Sequence, residues 1–257
     1  MTAHPLSLVI RTLLQKLAND TGFDIDHVPD GPWLPFDSTR APMRLWLSAV
    51  GDTVVAVAIS QHNVVDALKG QATPLTNPLP AGAAGAYGVT SFQAAQDLVR
   101  RAYALSRTLP DELLHVYQKR TAGMPATTEA ERLVVQRVGQ DVFREGLMEF
   151  AKSRCAISGI TVPEVLRASH IKAWAECETD AERLDVHNGL LLAAHLDALF
   201  DKHLISVADD GTVLVSETIG AEDRIRLGLD EERKIVGLTA GHRGYLVGHR
   251  ARFGGVG

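Results

Sequence analysis

The run NGLLLAAHLDALFDKHLISV, residues 188–207, sets two aspartates into a segment otherwise dominated by leucine, alanine and phenylalanine. Asp197 and Asp201 are four residues apart, so a helix here projects both carboxylates from one face. Two negative charges held that close repel each other, and a hard divalent cation relieves the repulsion. The competing reading is a solvated helix face carrying an ordinary acidic pair. Upstream, RASHIKAW (167–174) places His170 among small residues, just ahead of an aromatic. An imidazole titrates near neutrality and suits the task of taking a proton from water.

Around these two stretches the chain divides. The segment TAGMPATTEAER (121–132) reads as a linker, with Thr128 and Glu131 in a capping-box pattern that opens a helix through about residue 152. We place a boundary near residue 123, giving parts 1–123 and 124–257. The first part opens on an amphipathic helix at about 5–19, followed by a Pro/Gly/Asp-rich loop at 30–42. Alternating MRLWLSAV and β-branched TVVAVAIS read as strands. Residues 69–88, with Gly and Pro but no periodicity, read as a long loop, and 91–106 has helical spacing. TLPDELLHVYQKR is expected to form a further short helix. In the second part, HLISVADDGTVLVSETI reads as a hairpin turning at Asp210-Gly211. The tail 242–253 holds arginines, histidines and aromatics without an acid, as either a solvated terminus or a phosphate contact.

Composition narrows the function classes. No apolar run is long enough to span a membrane. The opening MTAHPLSLVIRTLLQKLAND lacks the layout of a signal peptide, so a cytoplasmic location is expected. Cys155 and Cys177 are too few for a disulfide framework. The net charge of −5 lies wholly in residues 125–257, with 16 Lys/Arg against 21 Asp/Glu. Affinity for nucleic acid therefore has to come from local basic groups or from a metal offsetting the acid.

Read together, SRCAISGI, TVPEVLRASHIKAW and HNGLLLAAHLDALFDKHLI resemble the HNH nucleases, whose catalytic unit is the ββα-metal fold. The lead-in RVGQDVFREGLMEFAKSRCAISGI resembles restriction-type members. The resemblance implies that His170 ends the first strand as general base and that Asn188 braces the loop around it. It implies metal ligands nine and thirteen residues after the asparagine, which are Asp197 and Asp201. Two departures are visible. Ser169 stands where many members carry another metal ligand. The structural zinc of many members is not expected, since its first cysteine pair is reduced to Cys155 and Ser158 and its second falls on Ala193 and Leu196.

The expected architecture is α+β: a C-terminal ββα-metal nuclease domain preceded by a long helix, and a separate N-terminal mixed α/β domain. The expected activity is metal-dependent hydrolysis of double-stranded DNA, with Mg²⁺ first and Mn²⁺ or Ni²⁺ as alternatives. A restriction enzyme, modification-dependent in the favoured subtype, would cut both strands as a homodimer. The alternatives are a nonspecific DNase toxin or effector, and a degenerate DNA-binding protein. Lys172 is a candidate phosphate contact. Arg40 and Arg44 are candidate DNA contacts in the first part, where Trp33, Phe36 and Trp46 form either a base-stacking surface or core.

Overall fold

A computed structural model describes residues 6–50, 54–76, 78–109, 112–235 and 238–254. It divides into two compact units, residues 1–109 and 110–257.

The first unit is built on a six-stranded antiparallel sheet. Helix α1 (Leu8–Asp20) starts where Ser7 accepts a hydrogen bond from the Ile10 amide. The strands are β1 (Ile25–Asp26), β2 (Leu34–Asp37), β3 (Leu45–Val50), β4 (Val54–Ile59), β5 (Thr73–Pro74) and β6 (Gly85–Val89), in the order β1-β2-β3-β4-β6-β5. Helix α2 (His62–Ala67) follows β4, and α3 (Phe92–Thr108) follows β6. The register places Leu45, Leu47, Val57, Ile59 and Tyr87 on one face, where α1, α2 and α3 pack. On the other face Trp33 and Trp46 lie over Ala56, Ala58 and Ala86, small residues that leave room for the indoles. Trp33, Phe36 and Trp46 are therefore core rather than a stacking surface.

Two expected loops contain strands. Within 30–42, Leu-Pro-Phe-Asp forms β2, whose apolar residues are buried against β3. Within 69–88, β5 forms the sheet edge and the start of β6 lies between it and β4. The glycine that made β6 look irregular has a packing role, since a Cβ on Gly85 would sit 2.7 Å from Val65.

The second unit begins with α4 (Glu112–Thr121) and α5 (Glu129–Phe150). The expected boundary near 123 thus lies inside this unit. Helix α4 packs on α5, with Leu113 against Gly146 and Arg120 in a two-pronged pair with Glu145 at 2.7 and 3.0 Å. The capping box forms as the spacing predicts, Thr128 bonding the Glu131 amide and Glu131 returning to the Thr128 amide. Next come β7 (Leu166–His170), α6 (Asp180–Leu184), β8 (Gly189–Ala193) and α7 (Ala194–Asp201). Strands β7 and β8 pair antiparallel, and α7 leaves β8 without a loop, giving a ββα arrangement laid on α5. The hairpin of β9 (Ile205–Val207) and β10 (Val213–Val215) turns through Gly211 at φ +91°. After α8 (Ala221–Arg226), the tail forms α9 (Ala240–Arg252), with His242, Leu246 and His249 buried. It is a packed helix and not a solvated terminus. Among the described residues no helix is long and apolar enough to cross a membrane.

Candidate active site

His170 is the last residue of β7, paired across the ladder with Gly189 of β8. The glycine is required, because a Cβ there would meet the Phe143 ring at 2.5 Å. Phe143 of α5 uses that space to stack on the His170 imidazole, with centroids 3.8 Å apart, and Trp174 meets the same ring edge-on at 5.5 Å. The Nε2 of His170 lies 2.9 Å from the Arg183 carbonyl oxygen. A carbonyl only accepts, so Nε2 carries the proton and Nδ1 of the neutral ring keeps the free lone pair. Burial lowers the His170 pKa from its ordinary 6.5, opposed only by that carbonyl bond. The ring is thus neutral at pH 7, oriented, and free to take a proton.

Asn188 lies directly behind this strand, fully buried in a 3-10 turn over Val186–Asn188. Its Oδ1 accepts from the Lys172 amide at 2.8 Å, and its Nδ2 donates to the carbonyls of Lys172 and Glu182, each at 3.2 Å. Its own carbonyl accepts from the Ile171 amide at 3.0 Å. One side chain thereby fixes the chain leaving His170 to the segment that supplies the Arg183 carbonyl. Asn188 also donates to Cys177 Sγ at 3.3 Å, and burial raises the Cys177 pKa, so that thiol stays neutral and structural.

Asp197 and Asp201 line the same cleft as His170, a cavity of about 570 Å³. Asp201 stands at its exposed mouth. Enclosure by the walls, then the neighbouring Asp197 charge, raises the Asp201 pKa from 3.8. Neither carboxylate forms an ion pair with another described residue, and the hydrogen-bonding neighbour of Asp201 is the Ser169 hydroxyl. Ser169 is buried close to Asp201, and its hydroxyl forms no well-made hydrogen bond. Two unpaired, mutually repelling carboxylates fit a hard oxygen-liganded cation. Among the described residues no three His, Cys, Asp or Glu side chains converge to hold a metal ion. Two carboxylates alone leave most of such a cation's coordination shell to other oxygens.

The site differs from the sequence reading at several residues. Lys172 lines a neighbouring cavity, where its ammonium pairs with Glu182 at 2.6 Å. Arg40 and Arg44 belong to the first unit. Arg40 is exposed, whereas the Arg44 guanidinium is taken up by Asp37 at 2.7 and 2.5 Å. That pairing, assisted by His27, lowers the Asp37 pKa. Where a zinc-binding cysteine pair was looked for, Cys155 Sγ accepts backbone bonds from Ser158 at 3.3 Å and Ala193 at 3.2 Å. The structure also adds wall residues that spacing did not assign: His203, His249 and Arg252. Only the acid-free composition of the tail hinted at the last two. His203 sits at φ +53°, a left-handed conformation uncommon for a side-chain-bearing residue, and its Nδ1 lies 3.1 Å from Nε2 of the buried His249.

Residues 155–208 match the family model for HNH endonucleases. That match supports the HNH family for this part of the chain, and with it a nuclease. The matched segment runs from Cys155 to the end of the β9 region and so contains His170, Asn188, Asp197 and Asp201. No curated protein matches the chain.

Proposed function

We propose that the second unit hydrolyses phosphodiester bonds in double-stranded DNA with the help of a divalent metal ion. One observation carries the reading: a neutral imidazole with its free nitrogen identified shares a cleft with two neighbouring carboxylates that form no ion pair with a described residue. His170 Nδ1 takes the proton of the attacking water, while the Arg183 carbonyl holds the other nitrogen and steadies the imidazolium that forms. Asn188 keeps that carbonyl and the end of β7 in register. Asp197 and Asp201 would hold the metal, which when bound offsets charge developing on the phosphate and leaving oxygen. Phe143 and Trp174 wall one side of the imidazole from water and limit its rotation.

The ββα unit contacts little beyond a phosphate backbone, so sequence choice falls to another part of the chain. We assign it to the first unit, which makes up most of the N-terminal 1–123 region, as a DNA reader, in a restriction enzyme of modification-dependent type acting as a homodimer. The test is incubation of the full chain with modified and unmodified phage DNA in Mg²⁺, Mn²⁺, Ni²⁺ or EDTA. Cleavage dependent on metal and on His170 supports the nuclease reading, and preference for one DNA supports the reader. Equal cleavage of every DNA favours a nonspecific DNase, and no cleavage in any metal rejects the enzyme.

A further inference from the structure

Three arginines line the His170 cleft, and they differ in what already holds them. Arg144 donates to the carbonyls of Leu166 at 2.6 Å and Pro163 at 3.0 Å. Arg167 donates to those of Glu164 and Leu166, both at 3.0 Å. These backbone bonds tie both guanidiniums to the approach to β7. Arg252, the last residue of α9, instead forms a two-pronged pair with Glu176 at 2.7 and 3.1 Å. The side chains are 41% and 46% exposed, and an ion pair that exposed contributes little to stability. A stronger anion can displace its acid.

The place of Arg252 is well determined. The Gly254 amide donates to the His203 carbonyl at 3.3 Å, and Arg250 donates to the Val207 carbonyl at 3.0 Å. His249 stacks on Phe200 of α7 with centroids 3.8 Å apart. The end of α9 is thus pinned to the turn that follows Asp201. Glu176 faces a second cavity, of about 530 Å³, and Arg252 stands in the wall common to both.

We propose that Arg252 is the phosphate-binding cation of the nuclease cleft and that Glu176 is its partner at rest. The assignment rests on the nuclease reading above. A phosphodiester entering beside Asp197 and Asp201 exchanges the Glu176 carboxylate for a phosphate oxygen on the guanidinium. The planar fork of arginine suits both partners. The cleft sets three aspartates, Asp141, Asp197 and Asp201, against three arginines, and of these Arg252 alone is joined to the wall by an exposed side-chain pair rather than by bonds to backbone carbonyls.

The test is duplex DNA binding by the full chain carrying His170→Ala, with and without Mg²⁺, over a salt series. Arg252→Ala should weaken binding roughly three- to tenfold and reduce the salt slope by about one. Arg252→Lys should recover part of the loss, since it keeps the charge without the fork. Glu176→Gln should strengthen binding, because it releases the arginine. A purely structural strap predicts the opposite pattern, in which breaking the pair from either side weakens binding and lowers the melting temperature together. That outcome overturns the proposal. So does cleavage unchanged by Arg252→Ala in an enzyme that His170→Ala inactivates, with the nuclease reading left standing. Failure of the parent to bind any duplex overturns both.

Discussion

The two units bury polar groups of different kinds. In the first, the buried polar residues are Thr21, Ser48, Ser106 and Thr108. All are hydroxyls, and each one bonded in the structure donates to a backbone carbonyl, as Thr21 does to Leu17 and Ser48 to Pro32. In the second they include Asn188, His242 and His249, with Ser169 left without a well-made bond. A hydroxyl bonded to a carbonyl closes a local account of hydrogen bonds and serves the fold. Buried imidazoles and a carboxamide cost more to desolvate, and they hold other groups in chosen orientations, as Asn188 does for the Lys172 and Glu182 backbone. Buried serines occur in the second unit too, Ser206 and Ser216, so the difference lies in the added imidazoles and carboxamide.

The sharpest way to break this contrast is at His170. Replacing it with alanine should slow cleavage roughly 10²–10⁴-fold, far more than the modest drop in melting temperature from the lost stacking on Phe143 explains. The pH profile carries a sign. Because burial lowers the His170 pKa, cleavage should persist as pH falls through 6.5 and be lost only below it. Steady-state rates of the parent between pH 5 and 8 check this, and a midpoint above 6.5 would contradict it.

The next effect falls on the first unit. Trp46→Ala opens a void over Ala56, Ala58 and Ala86 and should cost roughly 3–5 kcal/mol. If the units are stabilised separately, the loss appears in one unfolding transition while that of the second unit stays in place. Trp33 and Trp46 report fluorescence from the first unit and Trp174 from the second, so a Trp174→Phe background separates the signals. Movement of both transitions together would deny the units their independence.

Acid should act in the opposite direction. Burial holds His242 down at about 3 and His249 at about 4, whereas in the unfolded chain both titrate near 6.5. Their stabilisation is complete above pH 6.5 and is lost as pH falls toward those values, roughly 2–4 kcal/mol by pH 5. In the first unit the shifted carboxylates, Asp24, Asp37 and Asp66, are all held low, so their loss begins only near pH 4. Between pH 6.5 and 4.5 the second unit should therefore soften first. The same two fluorescence signals, followed in urea at pH 7 and pH 5, make the comparison.

The smallest effect is expected at Arg40. If the first unit reads DNA, Arg40→Ala should weaken duplex binding by about 1 kcal/mol and reduce the salt slope by about one. Arg44→Ala should additionally lower stability, because its guanidinium is bound to Asp37. Indifference of binding to Arg40 would remove the main exposed candidate for such contact.

What could be read from residue order was what depends on near neighbours. The capping box at Thr128, the β3–β4 pair, the turn at Gly211 and the His170–Asn188–Asp197–Asp201 spacing all rest on local pattern. Strands β2 and β6 escaped notice because Leu-Pro-Phe-Asp and Gly-Ala-Tyr-Gly-Val lack the usual alternation, and their partners lie elsewhere in the chain. Helix α9 was missed for a related reason. Two of its buried positions are histidines, which read as polar until Phe200, Ser206 and Thr239 are seen beside them. Arg44 shows the converse: its charge is legible in the sequence, but the Asp37 carboxylate that pairs with it is not.

Helix α5 has a practical consequence for anyone who would move this nuclease into another protein. Phe143 is the platform under His170, and the α4–α5 pair begins well before Cys155. On the far side, α9 closes the cleft with residues lying some forty positions past the last one matched to the family. The portable cartridge is therefore not the recognisable motif. A graft limited to 155–208 would carry the reactive groups without the surfaces that aim them, and should be inert. One spanning Glu112 to Gly254 keeps both flanking helices, so the geometry travels with the chemistry.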